Sequence, residues 1–79
     1  MIIYDTLPRN IVKSNMKLRG ISSKQMVELL KLKGIEMDVK SFNNKMYRGS
    51  FSAVFFIKCL KAMNVKSIEL DILDEESFV

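Results

Sequence analysis

Cys59 is the single cysteine of this sequence, and no histidine stands anywhere in the chain to take its proton. A thiol attacks as the thiolate, which a neighbouring base or cation must favour. Cys59 instead sits in the apolar run Phe55-Phe56-Ile57-Lys58-Cys59-Leu60, where it reads as a buried structural thiol. The same two counts exclude Ser-His-Asp and Cys-His catalysis, a zinc site of several Cys or His ligands, and an intrachain disulfide. Gly20, Gly34 and Gly49 are too widely spaced for a phosphate-binding loop, and G-x-x-x-x-G-K-[ST] is absent. Glu69, Asp71, Asp74, Glu75 and Glu76 lack the spacing of a calcium loop and read as a solvated acidic tail. The sequence points to a protein that binds and is not an enzyme, with no cofactor and no metal.

Binding chemistry concentrates between Val39 and Arg48, a stretch without one acidic residue. On a helix at 100° per residue, Val39, Phe42 and Met46 make an apolar stripe, and Lys40, Ser41, Asn44, Lys45 and Arg48 project around the other side. Asn43 and Tyr47 fall at the border. Cations of this kind meet phosphate or guanine, while the amides and hydroxyl match base edges or backbone oxygens. Lys40, Ser41, Asn43, Asn44, Lys45 and Arg48 are therefore the candidate nucleic-acid contacts. Lys13, Lys17 and Lys24 are candidate phosphate contacts on earlier segments. Arg48 has a second reading, as a cation bonding the last carbonyls of its own helix. Net charge agrees with a polyanionic partner. Residues 9 to 66 hold all 13 Lys and Arg against Glu28, Glu36 and Asp38, a net +10, whereas residues 67 to 79 carry −5.

The elements that position these residues are marked by glycine. Leu18-Arg19-Gly20, Leu32-Lys33-Gly34 and Tyr47-Arg48-Gly49 each place a cation in a last helical turn and glycine where a left-handed residue ends it. Pro8 suits a first turn, Ser22 with Gln25 spells a capping box, and Asp38 can cap a segment starting at Val39. Helices are expected near 8–19, 23–33 and 39–48. Val12 and Met16 face inward on the first, with Lys13 and Lys17 outward; Met26, Leu29 and Leu30 face inward on the second. A fourth helix is expected from about 52 to 63, with Ala53, Phe56, Ile57, Leu60 and Met63 as its core stripe. Phe55, Cys59 and Ala62 repeat on another side of it, leaving apolar groups for either the terminal strands or a second subunit to cover; the second is favoured, and they are the candidate dimer interface. Ile68, Leu70 and Ile72 alternate with Glu69 and Asp71, the period of a short strand, and Ile2-Ile3-Tyr4 is the other strand-like segment. The two pair either with each other or with a neighbouring chain.

At 79 residues the chain is expected to be one domain, 1–79, with a helical core at about 8–64 and a strand and acidic tail at 65–79. An apolar helix followed by a turn and a helix with a polar, basic outer face is the logic of a helix-turn-helix. Residues 9–64 resemble the small helical domains of phage-repressor type, with Gly-Ile-Ser-Ser-Lys-Gln-Met-Val-Glu-Leu-Leu at 20–30 and Phe-Asn-Asn-Lys-Met-Tyr-Arg-Gly at 42–49. The chain is more closely similar to a bacterial helix-turn-helix-like family, a domain of unknown function, across Asn43-Asn44-Lys45, Arg48-Gly49, Phe51-Ser52-Ala53, Phe55-Phe56, Cys59-Leu60 and Ala62. The resemblance implies a mainly α, compact four-helix, repressor-like fold. The connector 33–38 is longer than the turn of the simple motif, which leaves the angle of the third helix open. Taken together, the expectation is a cytoplasmic, homodimeric regulator of transcription that binds double-stranded DNA, with no signal peptide and no membrane span. A protein-interaction module using an apolar face of the fourth helix is the alternative. RNA binding is disfavoured, because base-stacking platforms present exposed aromatics on a sheet.

Overall fold

The computed structural model describes residues 2–49 and 51–68. They form four helices, α1 (Ile2–Arg19), α2 (Ser23–Leu32), α3 (Val39–Arg48) and α4 (Ala53–Ala62). Three start on side-chain caps, two of them, at Ser22 and Asp38, spelled by the sequence. Ser22 Oγ accepts the Gln25 amide N–H while Gln25 returns a bond to the Ser22 amide, and Asp38 and Ser52 accept from Ser41 and Phe55. Each cap satisfies an amide that the first helical turn cannot pair internally.

The ends are equally explicit. Gly20, Gly34 and Gly49 all have positive φ, and Asn64 takes the same conformation after α4 at φ 63°. At three of these ends the amide one residue further on bonds back into the helix: Ile21 to Met16 O at 2.8 Å, Ile35 to Leu30 O at 3.0 Å, and Val65 to Leu60 O at 2.9 Å. Each bond turns the chain back across its own helix end.

The core is built from Val12 and Met16 of α1, Met26 and Leu30 of α2, Phe42 and Met46 of α3, and Phe55 and Cys59 of α4 with Met63 beyond it. α4 lies against both α1 and α2, and α2 also packs on α3. The inward residues expected on the first three helices are buried, except that Leu29 is half-buried and Val39 is exposed, and Ile11 of α1, which was not among them, is buried as well.

Two expectations are corrected. Ile2-Ile3-Tyr4 is not a strand but the opening turn of α1, which runs six residues further towards the N-terminus than its expected start. Three apolar residues are too few to separate the two periods, and a helix satisfies its backbone locally where a lone strand would not. Pro8 therefore lies inside the helix, and its missing N–H costs the single bond that the Tyr4 carbonyl would have received.

The second correction concerns α4. Phe55 is 6% exposed and Cys59 0%, and Ala62 is half-buried against the same core, whereas Ile57 is 50% exposed and Ala53 is also exposed. The residues expected to meet a second subunit are the monomer's own core, because α4 is apolar almost all round and its pattern does not fix which side turns inward. Among the described residues there is no strand; Ile68 is irregular, and the rest of the expected strand, 69–72, lies outside them. No helix among the described residues is long and apolar enough to cross a membrane.

Candidate nucleic-acid interface

α3 presents Lys40, Ser41, Asn43, Asn44, Tyr47 and Arg48 on its exposed surface, with Tyr47 84% exposed. Lys45 is drawn inward. It is half-buried, with Nζ 5.1 Å from the centre of the Phe55 ring, a cation–π contact that ties α3 to α4. The backbone amide of Ser41 is spent on the Asp38 cap, at 2.8 Å. Asn43 is held from the side, since Ser23 Oγ donates to its side-chain carbonyl at 2.8 Å. That bond fixes the amide's orientation relative to the first turn of α2, and the Asn43 NH2 group carries its donor capacity.

A groove of about 320 Å³ opens between α1 and α3, lined by Arg9, Lys13, Met16, Ser23, Phe42, Asn43, Met46 and Tyr47. Its floor is apolar and its rim polar and cationic. Lys13 was expected here; Arg9, Ser23 and Tyr47 were not among the candidates. Arg9 recurs with Lys13 and Lys17 every four residues, so it shares their helix face. That signal was legible within the helix expected at 8–19, whereas the α3 wall that completes the groove was not. Lys17 and Lys24 are exposed but do not line this groove.

Arg9 is more than a surface cation. Its Nη1 donates to the Tyr47 carbonyl at 3.2 Å, and its side chain lies over Gly49, where an added Cβ would come within 3.6 Å of Cδ. Its Nε is buried with no hydrogen-bond partner. Arg9 thus covers the C-terminal end of α3, the task that the second reading of Arg48 gave to that residue. Arg19 does the same for α4, with Nε donating to the Met63 carbonyl at 3.2 Å and Nη1 to Asn15 Oδ1 at 3.4 Å.

Acidic groups gather elsewhere. Glu28, Glu36 and Asp38, all the carboxylates of residues 9–66, line a second groove of about 460 Å³ with Val27, Lys31 and Met37, along α2 and its connector to α3. The amide N–H of Ser41 and then its hydroxyl hold the Asp38 carboxyl below its ordinary range, so it is ionised at neutral pH. Charge is therefore sorted along α3, anionic at the N-cap and cationic towards Arg48, over about 15 Å of helix. The same order suits the helix's own dipole. Among the described residues, no group of three or more Cys, Asp or Glu is arranged to hold a metal. Burial pushes the Cys59 thiol up to about 12 against a smaller opposing pull from Lys45, so it is inert as a nucleophile at neutral pH.

The fold and this surface define a compact four-helix domain with a cationic, amide-bearing groove between its first and third helices. Residues 4–68 match the family model described as a domain of unknown function, DUF6471, and the chain belongs to that family. No curated protein and no solved structure matches it.

Proposed function

We propose that the chain is a small DNA-binding protein, a regulator of transcription, which meets duplex DNA with the α1–α3 face. The observation that carries this reading is the sorting of charge: every carboxylate of residues 9–66 borders the α2–α3 connector, while Arg9, Lys13, Asn43 and Tyr47 share a separate groove. A phosphate backbone is repelled at the first and attracted at the second. Arg9, Lys13, Lys40 and Arg48 supply phosphate contacts, and Asn43 and Asn44 are the candidates for base edges. Lys45, engaged with Phe55, supports α3 and is not a free reader. In this reading the protein acts in the cytoplasm, catalyses no reaction and needs no cofactor. A connector of six residues, 33–38, separates the two helices of the motif. With Glu36 and Asp38 beside the α3 N-terminus, the contact is made along the exposed side of α3 from Lys40 to Arg48 and not by its tip.

Selection of the purified protein against randomised duplex near physiological salt tests binding and specificity together. Enrichment of a motif that is relaxed by Asn43→Ala or Asn44→Ala supports the reading, at about 1–3 kcal/mol for a bidentate base contact. No enrichment favours the second reading, a protein-interaction module. That alternative draws on Val54 and Ile57, which are 63% and 50% exposed on the outer side of α4.

A further inference from the structure

We propose that the α1–α3 groove is the docking site of the chain's own acidic segment, residues 69–79. That segment lies outside the described residues, and the case rests on its sequence and on the surface that would receive it. The groove combines an apolar floor of Met16, Phe42 and Met46 with the cations Arg9 and Lys13 at its rim. The segment Glu69-Leu70-Asp71-Ile72-Leu73-Asp74-Glu75-Glu76 combines the same two chemistries in complementary sign, apolar side chains interleaved with five carboxylates. In extended backbone, Leu70 and Ile72 fall on one side and Glu69 and Asp71 on the other. The apolar side meets the floor, while the long Arg9 and Lys13 side chains reach the carboxylates as they reach along apolar surface elsewhere.

Position and length permit it. The bond from Arg19 Nε to the Met63 carbonyl places the exit from α4 at the C-terminal end of α1. From there Lys17, Lys13 and Arg9 lead back along one face to the groove, about 15 Å away over ten helical residues. Eleven extended residues span about 36 Å. A segment seated there covers Asn43 and Tyr47, so docking and duplex binding exclude each other. The docking stands without the DNA reading; only this regulatory consequence rests on it.

The test uses the full chain and a variant in which Glu69, Glu75 and Glu76 become Gln and Asp71 and Asp74 become Asn. Amide and side-chain NMR shifts of the two proteins at low salt are compared, and a synthetic peptide of residues 67–79 is then titrated into the neutralised variant. Docking predicts differences centred on Arg9, Lys13, Asn43 and Tyr47, reversal of those differences by the peptide, and their loss in high salt. Shifts that stay unchanged, or that centre on Lys58 and Lys61, overturn it. On duplex, the neutralised variant should bind about tenfold tighter if the wild-type groove is occupied nine-tenths of the time. Docking-type shifts with no duplex binding by either protein would sink the DNA reading and leave the docking intact.

Discussion

Arg9 donates from Nη1 to the carbonyl of Tyr47 at 3.2 Å, across 38 residues of chain. Ten residues along α1, Arg19 makes the equivalent bond to Met63. The first helix thereby closes the C-terminal ends of the third and fourth, where carbonyls have no partners within their own helices. Positive charge at those ends also opposes the negative pole of each helix dipole.

Arg9 is thus both a prop of α3 and a cation of the proposed DNA face. Arg9→Ala should lower stability by about 1–2 kcal/mol, the range for a charge-assisted bond with some access to water. Arg9→Lys should keep the charge but recover only part of the stability, because an ammonium lacks the planar fork that lies over Gly49. Urea unfolding followed by circular dichroism measures both, and equal stability of all three proteins would remove the structural role.

Phe55 is fixed from three directions. It lies edge-on to Phe51 with ring centres 5.2 Å apart, sits beneath the Lys45 ammonium, and belongs to the central core. Phe55→Ala should cost about 3–5 kcal/mol, and Phe55→Asp should leave the chain unfolded at 25 °C. A folded, monomeric Phe55→Asp protein on thermal melting and light scattering would return this residue to a subunit interface.

Helix existence, caps and ends were legible because each rests on local chemistry. Ser22 with Gln25, Asp38 and the glycines at 20, 34 and 49 act within one turn of where they stand. What was not legible depended on more distant partners. The inward side of α4 is chosen by α1 and α2, since residues 53–57 are apolar in every direction. Lys45 appeared free because its partner, Phe55, is ten residues on and across a turn. Arg9 was missed as part of the site because its partners, the Tyr47 carbonyl and the α3 wall of the groove, stand on a helix 38 residues further on. The candidates Lys40, Asn44 and Arg48 stand exposed as their helical phase dictates, since phase is again a local property.

Cys59 sets a pH dependence at the alkaline end. Its folded-state thiol is raised from 9.0 to about 12 by burial. Its contribution to stability is therefore complete below about pH 9 and is lost as the pH rises towards 12, where the unfolded chain ionises first. Cys59→Ala should lack that part of the alkaline decline, a difference measurable by urea unfolding at pH 8 and pH 10.5. In the native wild type at pH 8 the thiol should react with a disulfide reagent only at the rate of unfolding. Fast labelling of folded protein would contradict its burial.

The central claim is that the α1–α3 face meets a duplex through its cations, and the salt dependence of duplex affinity tests it most directly. Four or five neutralised phosphates predict a slope of about −4 for log affinity against log salt, at about −0.9 per contact. Lys13→Ala should bring the slope closer to zero by about 0.9 and weaken all sequences alike, whereas Lys33→Ala, on the connector bordered by Glu36 and Asp38, should change it little. A slope near zero for the wild type, or equal effects of the two substitutions, would contradict the account.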